Sequence, residues 1–186
     1  MSGFTAEKEL RAVVSGLRGQ RLAEVVYYPL ASGTDGREIE QWDFGDWHTP
    51  TMGVELITDI GHRYSAIWIW DNTFTCYGLE VFQQPMTDFL TSLGAPWGSV
   101  AVPASDHPRW ARLINKPIHA DTCWDSFDEV RVSTAVRLGS GTTVVWIAAG
   151  RPADPESATT FHLNTDDVMV VFTSEIATQA GIPASS

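Results

Sequence analysis

The sequence predicts an α+β fold of mainly antiparallel sheet with short flanking helices, laid out as two tandem, diverged αβ repeats. Three observations carry this reading. Apolar runs flank a glycine turn twice, at Gly53–Thr58 with Tyr64–Trp70 and at Val130–Leu138 with Thr142–Ala148, as hairpins do. A helical pattern and a strand precede each hairpin, and a strand and a helix follow it. Short sequences also recur in the same order in both halves.

In the first half, Thr5 is placed to cap a helix in which Leu10, Val13, Val14 and Leu17 recur at helical spacing and Gly19 marks the end. Arg21–Leu30 reads as a strand and Ala31–Gly36 as a loop of turn residues. The hairpin turns at Asp59-Ile60-Gly61, and a second turn at Asp71-Asn72-Thr73 leads to a strand at Thr75–Phe82. Pro85 opens a helix carrying Met86, Phe89, Leu90 and Leu93, which Gly94 and Pro96 close.

In the second half, His107–Ile114 reads as a short helix with Trp110, Leu113 and Ile114 facing inward, followed by a strand at Pro117–Trp124. Gly139-Ser140-Gly141 is the expected hairpin turn. Gly150–Ser157, with two prolines, reads as a loop, Asp167–Phe172 as a strand and Glu175–Ala180 as a helix closed by Gly181. These boundaries give a first repeat over 1–98, a linker over 99–105 and a second repeat over 106–183. Leu79-Glu80-Val81-Phe82 then meets Met169-Val170-Val171-Phe172, and Trp68 meets Trp146. The second hairpin is two residues shorter on each arm, an even change that keeps every side chain on its face. The expected core comprises Leu10, Val13, Leu17, Leu56, Trp68, Phe82, Phe89, Leu90, Trp146, Val171 and Phe172.

The 186 residues carry 12 Lys plus Arg against 23 Asp plus Glu, a net charge of −11. A chain this acidic lacks the basic face that nucleic acid or an anionic membrane requires. It suits a basic protein partner. The first residues carry Glu7, Lys8, Glu9 and Arg11 rather than a basic stretch followed by an apolar run, so a cytoplasmic location is expected, with Cys76 and Cys123 as free thiols.

The first repeat holds an insertion, residues 37–50, that the second lacks. It contains Trp42, Asp43, Asp46, Trp47 and His48, which join aromatic area to carboxylates and form the expected binding surface. In acidity and aromatic insertion the chain resembles bacterial immunity proteins that plug basic toxins, though no motif is shared. The acidity, the aromatic insertion in only one copy and the missing catalytic motifs point to a non-catalytic binding module, with no cofactor and no metal expected. The alternative is a small hydrolase or metal-dependent enzyme using Asp43, Asp46 and His48, or His119 with Cys123, which alternate onto one face of the expected strand. The sequence has no phosphate loop, dinucleotide fingerprint, nucleophile elbow or zinc-protease motif.

Overall fold

A computed structural model describes residues 7–32, 38–72, 75–92, 98–127, 130–154 and 157–185. The chain runs α1 (Glu7–Gly16), β1 (Leu22–Tyr27), β2 (Ala31–Ser32), β3 (Glu38–Ile39), β4 (Trp47–Thr51), β5 (Gly53–Thr58), β6 (Arg63–Asp71), β7 (Cys76–Phe82) and α2 (Met86–Ser92). It continues through β8 (Val102–Pro103), β9 (His119–Phe127), β10 (Val130–Ser140), β11 (Thr143–Asp154), β12 (Ser157–Val171) and α3 (Ser174–Gln179). Two five-stranded antiparallel sheets result, ordered β7-β6-β5-β1-β8 and β4-β12-β11-β10-β9. Among the described residues no helix is long and apolar enough to cross a membrane.

Strand alternation explains how the layers stack. One face of each sheet turns inward, and Val25, Tyr27, Val54, Leu56 and Leu79 of the first sheet meet Val136, Leu138, Ile147, Val168 and Val170 of the second in one core. Leu10, Val14 and Leu17 of α1 join that core, with α1 against the edge strands β7 and β9. The outer face of the first sheet is covered through Met86 of α2, packed with Tyr28, Met52 and Ile67. The outer face of the second is covered by Ile176 and Ala177 of α3, packed with Ala148, Met169 and Val171. Thr173 caps α3, its hydroxyl accepting from the Ile176 amide.

The predicted α+β class and predominance of antiparallel sheet are present. Two strands pair outside the units expected for them. β4, from the insertion, pairs with β12, so it extends the second sheet rather than the first. β8, from the expected linker, pairs with β1.

Four local readings are corrected. Residues 107–114 form turns, not a helix. Pro108 has no N–H, the Arg109 amide is taken by the His107 ring, and Asn115 turns left-handed at φ 61°. Trp110 and Leu113 are nevertheless fully buried. Much of the expected loop Gly150–Ser157 is strand, since β11 reaches Asp154 and β12 begins at Ser157, with Pro152 tolerated beside a register irregularity. The second hairpin turns at Gly141-Thr142, with Ser140 opposite Thr143. That moves its register. Val54 faces Ala66, two residues from Trp68, so Val54 and Trp68 share a face; Val136 faces Ile147, so Trp146 lies on the opposite face. Trp68 packs on the central core as well as on the outer cluster of its own sheet, whereas Trp146 packs on the outer cluster of the second sheet. A three-residue turn and a two-residue turn differ in parity, which spacing measured from a glycine conceals.

Of the expected core, Leu10, Leu17, Leu56, Val171 and Phe172 are buried, while Val13, Trp68, Phe82, Phe89, Leu90 and Trp146 are partly buried. Thr5, Leu93, Gly94 and Pro96 lie outside the described residues.

Leu138 is fully buried between the sheets, whereas Ile60 is 66% exposed at a turn. Leu138→Ala should cost about 2–5 kcal/mol by leaving a cavity, and Ile60→Ala less than about 0.5 kcal/mol. Denaturant unfolding followed by far-UV circular dichroism measures both.

Candidate functional site

The insertion folds as a tight turn leading into β4. Gly45 takes φ 83°, a conformation open to glycine, and its amide donates to Asp43 Oδ1 at 2.9 Å. Phe44 N donates to Trp47 O, Thr49 N to Trp42 O, and Phe172 N to Asp46 O, which ties the turn to the end of β12. Asp43 and His48 thereby face each other across the turn. Because β4 is a strand, neighbours point oppositely. Trp47 enters the outer core, stacked on Phe44 with centroids 5.6 Å apart and edge-on to Phe161. His48 enters the space between the sheets and is fully buried.

There His48 meets residues from three distant segments. Its Nδ1 lies 2.8 Å from the hydroxyl of Tyr27 on β1, which accepts a hydrogen bond from the Trp110 indole N–H. Its Nε2 lies 3.3 Å from Asp43 Oδ1, and Nε2 of His107, which follows β8, lies 3.3 Å from Asp43 Oδ2. The two imidazoles are 4.4 Å apart, nearly perpendicular. Trp42 stands 5.0 Å from His48, and Phe172 stands 4.5 Å from it. Aromatic rings therefore wall the two histidines.

Burial sets the electrostatics. It drives the His48 pKa down to about 3, helped by the neighbouring His107 and opposed by Asp43, so the imidazole is neutral at pH 7. Burial pushes Asp43 upward, but the Gly45 amide and the two imidazoles outweigh it and hold the carboxyl below its ordinary value. Burial also raises the Tyr27 phenol well above its usual range.

Among the described residues, His48 Nε2 is buried without a hydrogen bond: Asp43 Oδ1 is close enough but poorly directed. A buried polar nitrogen left this way is costly. The candidate ligand atoms of Asp43, His48 and His107 all lie within 4.8 Å of one another. Metal bonds of about 2.0–2.2 Å place adjacent ligands roughly 3.0–3.5 Å apart, close to the two Asp43 distances. The His107 Nδ1 accepts a long, 3.3 Å contact from the Arg109 amide. In the metal-free ring the proton then sits on Nε2, toward Asp43; ligation through Nε2 moves it to Nδ1 and gives up that contact.

Of the five residues expected to bind, Trp47 and His48 are buried, Trp42 and Asp46 are partly exposed and Asp43 is exposed. Asp46 stands apart from the cluster, its carboxylate paired with Arg109. His119 is exposed, whereas Cys123 is fully buried, its thiol raised by that burial to about 11 and thus protonated at neutral pH. Sequence reasoning missed His107, Tyr27, Trp110 and Arg109 as partners of the insertion, since no spacing links them to it. No family model, curated protein or solved structure matches the chain.

A thiol reagent added to the native protein should label Cys76, which is partly exposed, and leave Cys123 untouched until denaturant is added. Mass spectrometry of the labelled peptides reads this directly. The Cys123 pKa is raised by folding, so the unfolded chain loses that proton first. Stability should fall as pH rises from about 9 toward 11, and a Cys123→Ala variant should show a shallower fall.

Proposed function

We propose that this protein binds a divalent transition metal through Asp43, His48 and His107. The observation that carries the reading is the buried His48 Nε2, without a hydrogen bond, 3.3 Å from a carboxylate oxygen and beside a second imidazole. Two nitrogens and one oxygen suit zinc, iron(II), cobalt or nickel better than calcium or magnesium, which prefer oxygen. The neutral state of His48 supports ligation, because only the unprotonated nitrogen binds a metal. Ligation through Nε2 would leave the proton on Nδ1, where it would donate to the Tyr27 hydroxyl, the oriented outer contact common to metal-bound histidines, and Trp110 fixes Tyr27 in turn. This reading develops the metal-dependent alternative, with His107 in the place of Asp46.

A second reading, an acidic binding module for a basic protein partner, rests on the net charge of −11. The rim would present Asp43, Asp46 and part of Trp42 to that partner, while Trp47 and His48 would shape the turn from within. In this reading Asp46→Asn weakens binding chiefly at low salt.

The duplicated origin is a further part of the proposal. Each half contains a four-strand meander, β1-β5-β6-β7 and β9-β10-β11-β12, followed by a helix on the outer face, which favours it. The unequal hairpin registers weigh against it.

The test of the metal reading is titration of purified, chelator-treated protein with zinc or cobalt by calorimetry. One equivalent should bind and raise the melting temperature. Asp43→Asn, at an exposed position, and His107→Ala, at a partly exposed one, should stay folded, yet lose about 100-fold or more in affinity. Equal weak binding by the parent and both variants would reduce the cluster to a hydrogen-bonded network.

A further inference from the structure

The geometry points to an open metal position that takes the oxyanion group of a small ligand, a carboxylate or a phosphate, with Arg109 as its second contact. This inference rests on the metal reading above and adds the chemistry of what the metal would hold.

Three protein ligands leave a divalent ion unsaturated. Closed structural sites supply four, and sites with three keep a place for water or another ligand. The three are also unevenly placed. His48 approaches from the fully buried side, between the sheets. Asp43 and His107 lie at the rim, their side chains 44% and 20% exposed. The vacant side of the coordination sphere therefore faces outward.

Charge then selects the ligand. A divalent ion with one carboxylate and two neutral imidazoles keeps one net positive charge. Arg109 stands two residues beyond His107, and its backbone amide touches the His107 ring. Its guanidinium is held by Asp46, on the same turn as Asp43 and His48, with its side chain 29% exposed. That contact uses one terminal nitrogen and leaves other N–H donors on the guanidinium fork. Metal and guanidinium together form a positive spot on an acidic protein, and oxyanions are what such a pair recognises.

The test uses the full chain loaded with cobalt, whose visible absorption reports the coordination sphere. Sodium acetate and inorganic phosphate are titrated in separate arms at constant ionic strength. A saturable change in the cobalt bands with either salt supports the inference. A response to acetate alone assigns a carboxylate, and a response to phosphate alone assigns a phosphate. Arg109→Gln should weaken oxyanion affinity about ten-fold or more, as loss of a charge-assisted hydrogen bond does, while leaving cobalt affinity unchanged or tighter. Arg109→Lys should restore part of it. Cobalt binding with no spectral response to either salt overturns the inference and leaves the metal centre standing. Unchanged oxyanion affinity in Arg109→Gln overturns the part given to Arg109. Failure to bind cobalt at all overturns both readings.

Discussion

The pairing of β4 with β12 places the candidate site. His48 stands opposite Val170 and Trp47 opposite Val171, so a segment from the amino-terminal half becomes the edge strand of the carboxyl-terminal sheet. Alternation along the strand then fixes which neighbour enters which layer. A slip of one residue would exchange them, moving Trp47 into the space beside Tyr27 and His48 into the outer apolar cluster. The Phe172 amide, bonded to the Asp46 carbonyl, resists that slip at the turn.

Around that strand, the site brings together groups that a core ordinarily excludes. Tyr27, His48 and Trp110 are all fully buried and joined by hydrogen bonds, while Phe172 and Trp42 pack on their faces and edges. Buried Glu55 shows the contrast. Its carboxylate accepts from the Met86 amide, Arg63 and the Tyr28 hydroxyl, so its role in seating α2 is complete within the fold. The His48 side chain has one nitrogen provided for and one not. That free nitrogen is the one the proposed metal would take.

Much of the layer structure was legible because it depends on local signals. Alternating apolar residues gave the central strands, and Gly19, Gly61, Gly141 and Gly181, all with positive φ, sit at the turns and helix ends where they were read. The insertion was legible as unusual, but its pairing with β12 was not, since its five-residue strand contains Pro50 and polar residues that resemble a loop. The helix expected at 107–114 failed for a similar reason. Its apolar spacing fits packing of Trp110 and Leu113 equally well in consecutive turns. His107 reached the site by topology alone. Fifty-nine positions separate it from His48, and only the placement of β8 beside β1 and β4 beside β12 closes that gap. The hairpin parity misled because a turn's residue count is not visible from the position of its glycine.

The five residues of β4 also have a protective effect on the rest of the molecule. Without them, the last stretch of β12 would present bare amides and carbonyls along its outer side, next to apolar Val168, Met169 and Val170. Exposed strand borders of that kind recruit strands from other molecules and grow into aggregates. A fragment holding only residues 106–183 would carry this liability, because the segment that masks it is encoded more than fifty positions upstream. The carboxyl-terminal meander therefore depends on a segment from far upstream in the chain to cover this border.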